Sequence, residues 1–184
     1  MRKTLIQGLL NRPLTEAPPD CDDAESLRFA GELNAAAQRK LGRSLSIRQV
    51  DAGSCNGCEL EIHALSNAFY DLERFGLRFV ASPRHADVLM VTGPVTRHMR
   101  EALERTYAAT PNPKWIVAVG VCAFDGGLFA TSSTCERGVG SVLPVDLYIT
   151  GCPPKPIDLL KGLLTLMRAP AHERTAPASR RGLG

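Results

Sequence analysis

The chain has 184 residues, 44% of them hydrophobic, and a net charge of +3. That length supports one domain with tails and a real core, and so slight a charge excess, gathered in MRKTLIQGLLNR and HERTAPASRRGLG, excludes a nucleic-acid-binding class. No apolar run approaches the about 18 residues of a membrane-spanning helix, and no small-residue cleavage site follows Arg2 and Lys3, so neither a transmembrane helix nor a secretory signal is predicted.

Residues 1–20 read as an amphipathic segment and linker. Leu5, Ile6, Leu9 and Leu10 share a face flanked by Arg2, Lys3 and Arg12, a pattern that suits a membrane surface, a partner subunit or a frayed start equally. The folded domain is expected over 21–168. Its first helix spans Asp23 to Leu41, capped by Asp22 with Glu25 in a capping box and ended by Gly42. A strand from Leu45 to Val50 runs into the first cysteine pair. A helix from Glu59 to Leu72 follows, with Leu60, Ile62, His63, Leu65, Ala68 and Phe69 as packing positions.

Strand and helix then alternate. Leu77–Ala81 and Asp87–Val91 are short strands, and Gly93-Pro94 opens a helix to about Ala108. Trp115–Val119 has the continuous β-branched character of a strand covered on both faces. A glycine-rich loop covers Gly120 to Gly127, Val145–Ile149 is the last strand, and Pro156 leads a helix to Met167. Residues 169–184 form a polar tail expected to be disordered. The alternation predicts an α/β domain with a mainly parallel sheet and helices on both faces.

Six cysteines in a reducing compartment argue for metal or redox chemistry rather than disulfides. Cys55 and Cys58 form a C-x-x-C pair, while Cys122 and Cys152 arrive singly in VGVCAFDGG and ITGCPPKP. All three positions follow predicted strands, where ligands gather at the carboxyl ends of an open α/β sheet. Four thiolates suit a [2Fe–2S] or [4Fe–4S] cluster or a tetrahedral zinc. Zinc sites use two close pairs, and one pair with two scattered singles favours iron–sulfur. Cys21 and Cys135 lie outside strand exits rich in Gly and Pro and are left out of the set. Glu59 and Glu61 are read as solvated or interface carboxylates, with proton relay as the alternative. His63 is read as a packed or hydrogen-bonded histidine, and Arg84, His85, Arg97 and His98 as solvated. No residue is assigned a catalytic role, and GVCAFDGG lacks the order of a phosphate-binding loop.

From Ser46 to Met167 the chain resembles the small iron–sulfur subunit shared by respiratory complex I (its B, or 20-kilodalton, subunit) and the membrane-bound, energy-converting [NiFe] hydrogenases. The resemblance rests on DAGSCNGCELEIHAL, RFGLRFVASPRHADVLMVTGPVT, PKWIVAVGVCAFDGG and VLPVDLYITGCPPKP, in that order. It implies a flavodoxin-like fold and one [4Fe–4S] cluster held by Cys55, Cys58, Cys122 and Cys152. It also implies a large catalytic subunit, a ferredoxin-like subunit and membrane-arm subunits as partners, at the cytoplasmic side of the inner membrane. The complex I subunit has adjacent cysteines at the first position, so the spaced Cys55-Asn-Gly-Cys58 is similar to the hydrogenase branch, including formate hydrogenlyase-type complexes. Val121 departs from the small polar or acidic residue that relatives often carry before the third cysteine.

Overall fold

The computed structural model describes residues 23–170. Five strands alternate with five helices: α1 (Asp23–Leu41), β1 (Ser46–Asp51), α2 (Gly57–Ala64), β2 (Arg78–Phe79), β3 (Val88–Thr92), α3 (Arg97–Ala109), β4 (Trp115–Val119), α4 (Val121–Asp125), β5 (Leu147–Ile149) and α5 (Pro156–Arg168). The strands form one sheet in the order β2-β1-β3-β4-β5, and every pairing is parallel. This is the flavodoxin-like strand order, in which parallel neighbours are joined by crossovers that place helices on both faces.

Alternation along each strand divides the core in two. Ile47, Val88, Met90, Val117 and Val119 pack on one face with residues of α1, α2 and α5. Val50, Leu89, Val91, Ile116 and Ala118 pack on the other with Leu103 of α3 and Ala123 of α4. β3 is buried along its whole length, as its apolar run VLMVT requires.

α1 keeps its expected bounds, and the Gly42 amide closes it by donating to Gln38 O at 2.9 Å. The capping Asp22, the segment 1–20 and most of the tail lie outside the described residues. Three helices differ from expectation, the first being α4, which occupies Val121–Asp125 inside the expected glycine-rich loop. α2 begins two residues earlier, at Gly57, and stops at Ala64, eight residues before Leu72. Beyond it the Asn67 side chain accepts from the amides of Phe69 and Tyr70, an Asx turn that competes with helical bonding. Ile62 and Leu65 are fully buried as expected, whereas Leu60, His63, Ala68 and Phe69 are exposed. α3 begins at Arg97, not Pro94, because Val95 is left-handed, with φ of +58°, and Thr96 is extended, with ψ of 151°. Among the described residues no helix is long and apolar enough to cross a membrane.

Candidate metal centre

Each loop that bears a predicted ligand cysteine leaves a carboxyl strand end. After β1, the Asp51 carboxylate accepts from the amides of Gly53 and Ser54, both at 2.8 Å, and the Ser54 hydroxyl accepts from Asn56 N at 3.1 Å. These bonds turn the chain within four residues, leaving Cys55 exposed in the loop and Cys58 half-buried in the first turn of α2. After β4, Gly120 leads directly into α4, which carries Cys122. After β5, Gly151 leads to Cys152 and the pair Pro153-Pro154 before α5.

The three loops are tied together. Gly120 N donates to Ile149 O at 2.8 Å and Val121 N to Gly151 O at 2.9 Å, joining the loops of Cys122 and Cys152. The Cys58 sulfur rests on the backbone of Gly120: a Cβ added there would lie 2.6 Å from Sγ, and φ is +89°. A Cβ on Gly127 would lie 3.1 Å from Cys122 Sγ, and one on Gly57 would lie 3.5 Å from Cys55 Sγ and 4.0 Å from Pro153 Cδ. The Cys55, Cys58 and Cys122 sulfurs therefore lie beside glycine backbone, and the loop of Cys152 is bonded to that of Cys122.

They also sense one another electrostatically. Burial first, then the charges of Glu59, Cys55, Cys122 and Cys152, push the Cys58 thiol from its ordinary 9.0 up to about 12. The Cys122 thiol is likewise raised, by burial and then by Cys152, Cys55 and Asp125. A folded state that holds a proton more tightly than the unfolded chain keeps that advantage below the unfolded value and loses it as pH rises through the folded value. The metal-free chain is therefore expected to lose thermal stability between about pH 9 and about pH 12, and a Cys58→Ser chain to lose less. Melting curves across that range check this. Among the described residues, no three His, Cys, Asp or Glu side chains stand close enough to share one metal ion.

Of the remaining cysteines, Cys135 is held apart in an antiparallel bridge with Thr96, and Cys21 lies outside the described residues. Glu59 corrects a sequence expectation. It is 4% exposed rather than solvated, the Thr92 hydroxyl donates to its Oε1, and its Oε2 has no partner. No sequence pattern marks this burial, because it arises where α2 crosses the end of β3. Glu61 is half-buried, and Arg84, His85, Arg97 and His98 are exposed as expected.

Residues 55–166 match the family of the NADH ubiquinone oxidoreductase 20 Kd subunit. The chain belongs to this family. Its relatives include the B polypeptide of the NADH-quinone oxidoreductase of Citrifermentans bemidjiense, 47% identical over 69% of this chain and 74% of that protein. A probable membrane-bound hydrogenase subunit, mbhJ, of Pyrococcus furiosus is 44% identical over 67% and 74%. Formate hydrogenlyase subunit 7 of Escherichia coli is 42% identical over 77% of this chain and 57% of its own length. A chain in the structure of the membrane-bound sulfane sulfur reductase, an archaeal respiratory membrane complex, superposes with a TM-score of 0.61 at 35% identity, covering 74% of this chain and 73% of that one. The proteins this chain is similar to thus include subunits of an NADH-quinone oxidoreductase, a membrane-bound hydrogenase, a formate hydrogenlyase and a membrane-bound sulfane sulfur reductase.

Proposed function

We propose that this chain is the [4Fe–4S] electron-transfer subunit of a complex I-like, membrane-associated oxidoreductase of the hydrogenase or formate hydrogenlyase type. Cys55, Cys58, Cys122 and Cys152 hold the cluster, and a partner large subunit carries the catalytic centre. The observation that carries this reading is that loops from three strand exits meet, with the Cys58 sulfur against Gly120, the Cys122 sulfur against Gly127, and Cys58 sensing the charges of Cys55, Cys122 and Cys152. A mononuclear zinc needs every sulfur within about 2.3 Å of one point. A polynuclear core takes one thiolate per iron, which suits one close pair with two cysteines scattered singly along the chain. Burial, and after it the charges of neighbouring groups, raises the Cys58 and Cys122 thiols, and a bound cationic core would favour their thiolates. Bound there, the cluster supplies one-electron transfer, and the chain's own loops hold the sulfurs in place.

The hydrogenase branch is supported by the Cys55-Asn-Gly-Cys58 spacing and the two hydrogenase-type relatives. A quinone-reducing complex is the second reading, favoured by the 47% identity to the NADH-quinone oxidoreductase relative. A zinc-stabilised interaction module is the alternative of another class. Anaerobically purified chain, analysed for iron and sulfide and examined by low-temperature EPR after dithionite reduction, is expected to hold about four irons per chain. Colourless protein carrying zinc after reconstitution with iron and sulfide would sink the electron-transfer reading.

Apolar surface beside Cys122 supports a large partner. Phe124 and Phe129 are exposed, Leu128 is 93% exposed, and Phe124 meets Tyr148 edge to face at 5.0 Å. Leu128→Ser is expected to change stability by less than about 0.5 kcal/mol while lowering recovery of the large subunit on co-purification. The ferredoxin-like and membrane-arm subunits, and the cytoplasmic side of the inner membrane, complete the proposed setting.

A further inference from the structure

We infer that a cavity at the β1–β2 edge, separate from the four cysteines, binds a small organic anion through Arg48. The cavity measures about 320 Å³. It arises because β2 is so short: it pairs only with Ser46 and Ile47, and Val80 N adds one bond to Ile47 O at 2.8 Å. Beyond that point no described strand flanks Arg48 and Gln49 on this side of β1. His63 and Ser66, at the end of α2 and just after it, line the cavity with Arg48 and Gln49, and the apolar Phe79, Val80 and Ala81 complete the lining.

Arg48 is the group that calls for a ligand. Its Nε is buried and donates to nothing, and the guanidinium forms no ion pair among the described residues. Arg43, Arg100 and Arg168, by contrast, each hold a carboxylate. A guanidinium fork matches a carboxylate or phosphate through two parallel bonds, and the imidazole, hydroxyl and amide around it supply further donors. The apolar wall takes a ring or short chain, and the volume sits at the small end of ligand pockets. The ligand class is an organic carboxylate or phosphate with a compact apolar body, drawn from solution or from a lipid headgroup.

Calorimetric titration of the full chain with benzoate, phenyl phosphate and neutral benzamide tests this without reference to the cluster. Saturable binding of both anions, in mutual competition and at least about tenfold tighter than benzamide, is expected. Arg48→Met is expected to weaken the anions about tenfold or more. Should that variant fail to fold, His63→Gln and Ser66→Ala are each expected to weaken them several-fold. Equal affinity for benzamide, no saturable binding of either anion, or unchanged binding in the folded variants would overturn the assignment. Dihexanoyl phosphatidate below its micelle concentration separates the sources: tighter binding than phenyl phosphate supports the site with a lipid as ligand, and weaker binding supports it with a soluble anion.

Discussion

Gly120→Ala is expected to fold yet lose most of its metal. The new Cβ would stand 2.6 Å from Cys58 Sγ and 3.5 Å from Gly151 O, and φ of +89° is a conformation L residues avoid. Backbone strain of that kind costs about 1–3 kcal/mol. The larger effect is local, since either the Cys58 sulfur or the β4–α4 turn must move, and both belong to the proposed ligand set. A penalty of only about 1.4 kcal/mol against the loaded geometry is already about tenfold in the loaded fraction. Iron per chain should therefore fall about tenfold at limiting iron, while circular dichroism remains that of the parent. Gly127→Ala, where the contact to Cys122 Sγ is 3.1 Å and φ is +49°, should lose less. Full loading of Gly120→Ala would show that the glycine backbone at Gly120 does not shape the site.

The second large effect lies at the opposite rim. Asp87 is buried, and its carboxylate accepts from Arg43 Nη1 at 3.0 Å, Arg43 Nη2 at 2.5 Å and Ser46 N at 2.9 Å. Its backbone joins the same knot, with Asp87 N donating to Ser46 O and Trp115 N to Asp87 O. One residue thus fixes the amino ends of β1, β3 and β4 in register. Asp87→Ala leaves a buried amide without an acceptor, at about 1–3 kcal/mol, and strips Arg43 of a two-pronged partner. We expect a loss of about 3 kcal/mol by urea unfolding, a large share of a typical 5–15 kcal/mol total. Asp87→Asn keeps an acceptor for Ser46 and should lose about half as much. Metal loading of the folded fraction should not change in either variant, which separates this knot from the cysteine rim.

Much of this architecture was legible in the residues. Trp115–Val119 reads as a buried strand because its β-branched run has no polar break, and it occupies those same residues in the fold. Placing the cysteines at strand exits needed only chain order and the rule for open parallel sheets. What stayed hidden depends on neighbours distant in sequence. Pro94 suits a helix start locally, yet Val95 O accepts from Glu136 N and Thr96 N donates to Ala52 O in non-helical geometry, and α3 waits until Arg97. Glu59 carries no local sign of burial; Thr92, 33 residues away, supplies its partner. Arg48 gives no hint of a cavity until the length of β2 is known, and that length is decided by pairing.

The same short strands govern how copies of this chain meet before assembly. The sheet's outer members are stubs of two residues in β2 and three in β5. Unpaired backbone along a long outer strand is a template for adding another chain and for aggregation. Stubs of this size offer too few amides to seed such a ladder, even though apolar side chains around Cys122 are uncovered. Encounters between free subunits are thus confined to side-chain contacts, which come apart again more readily than an extended sheet.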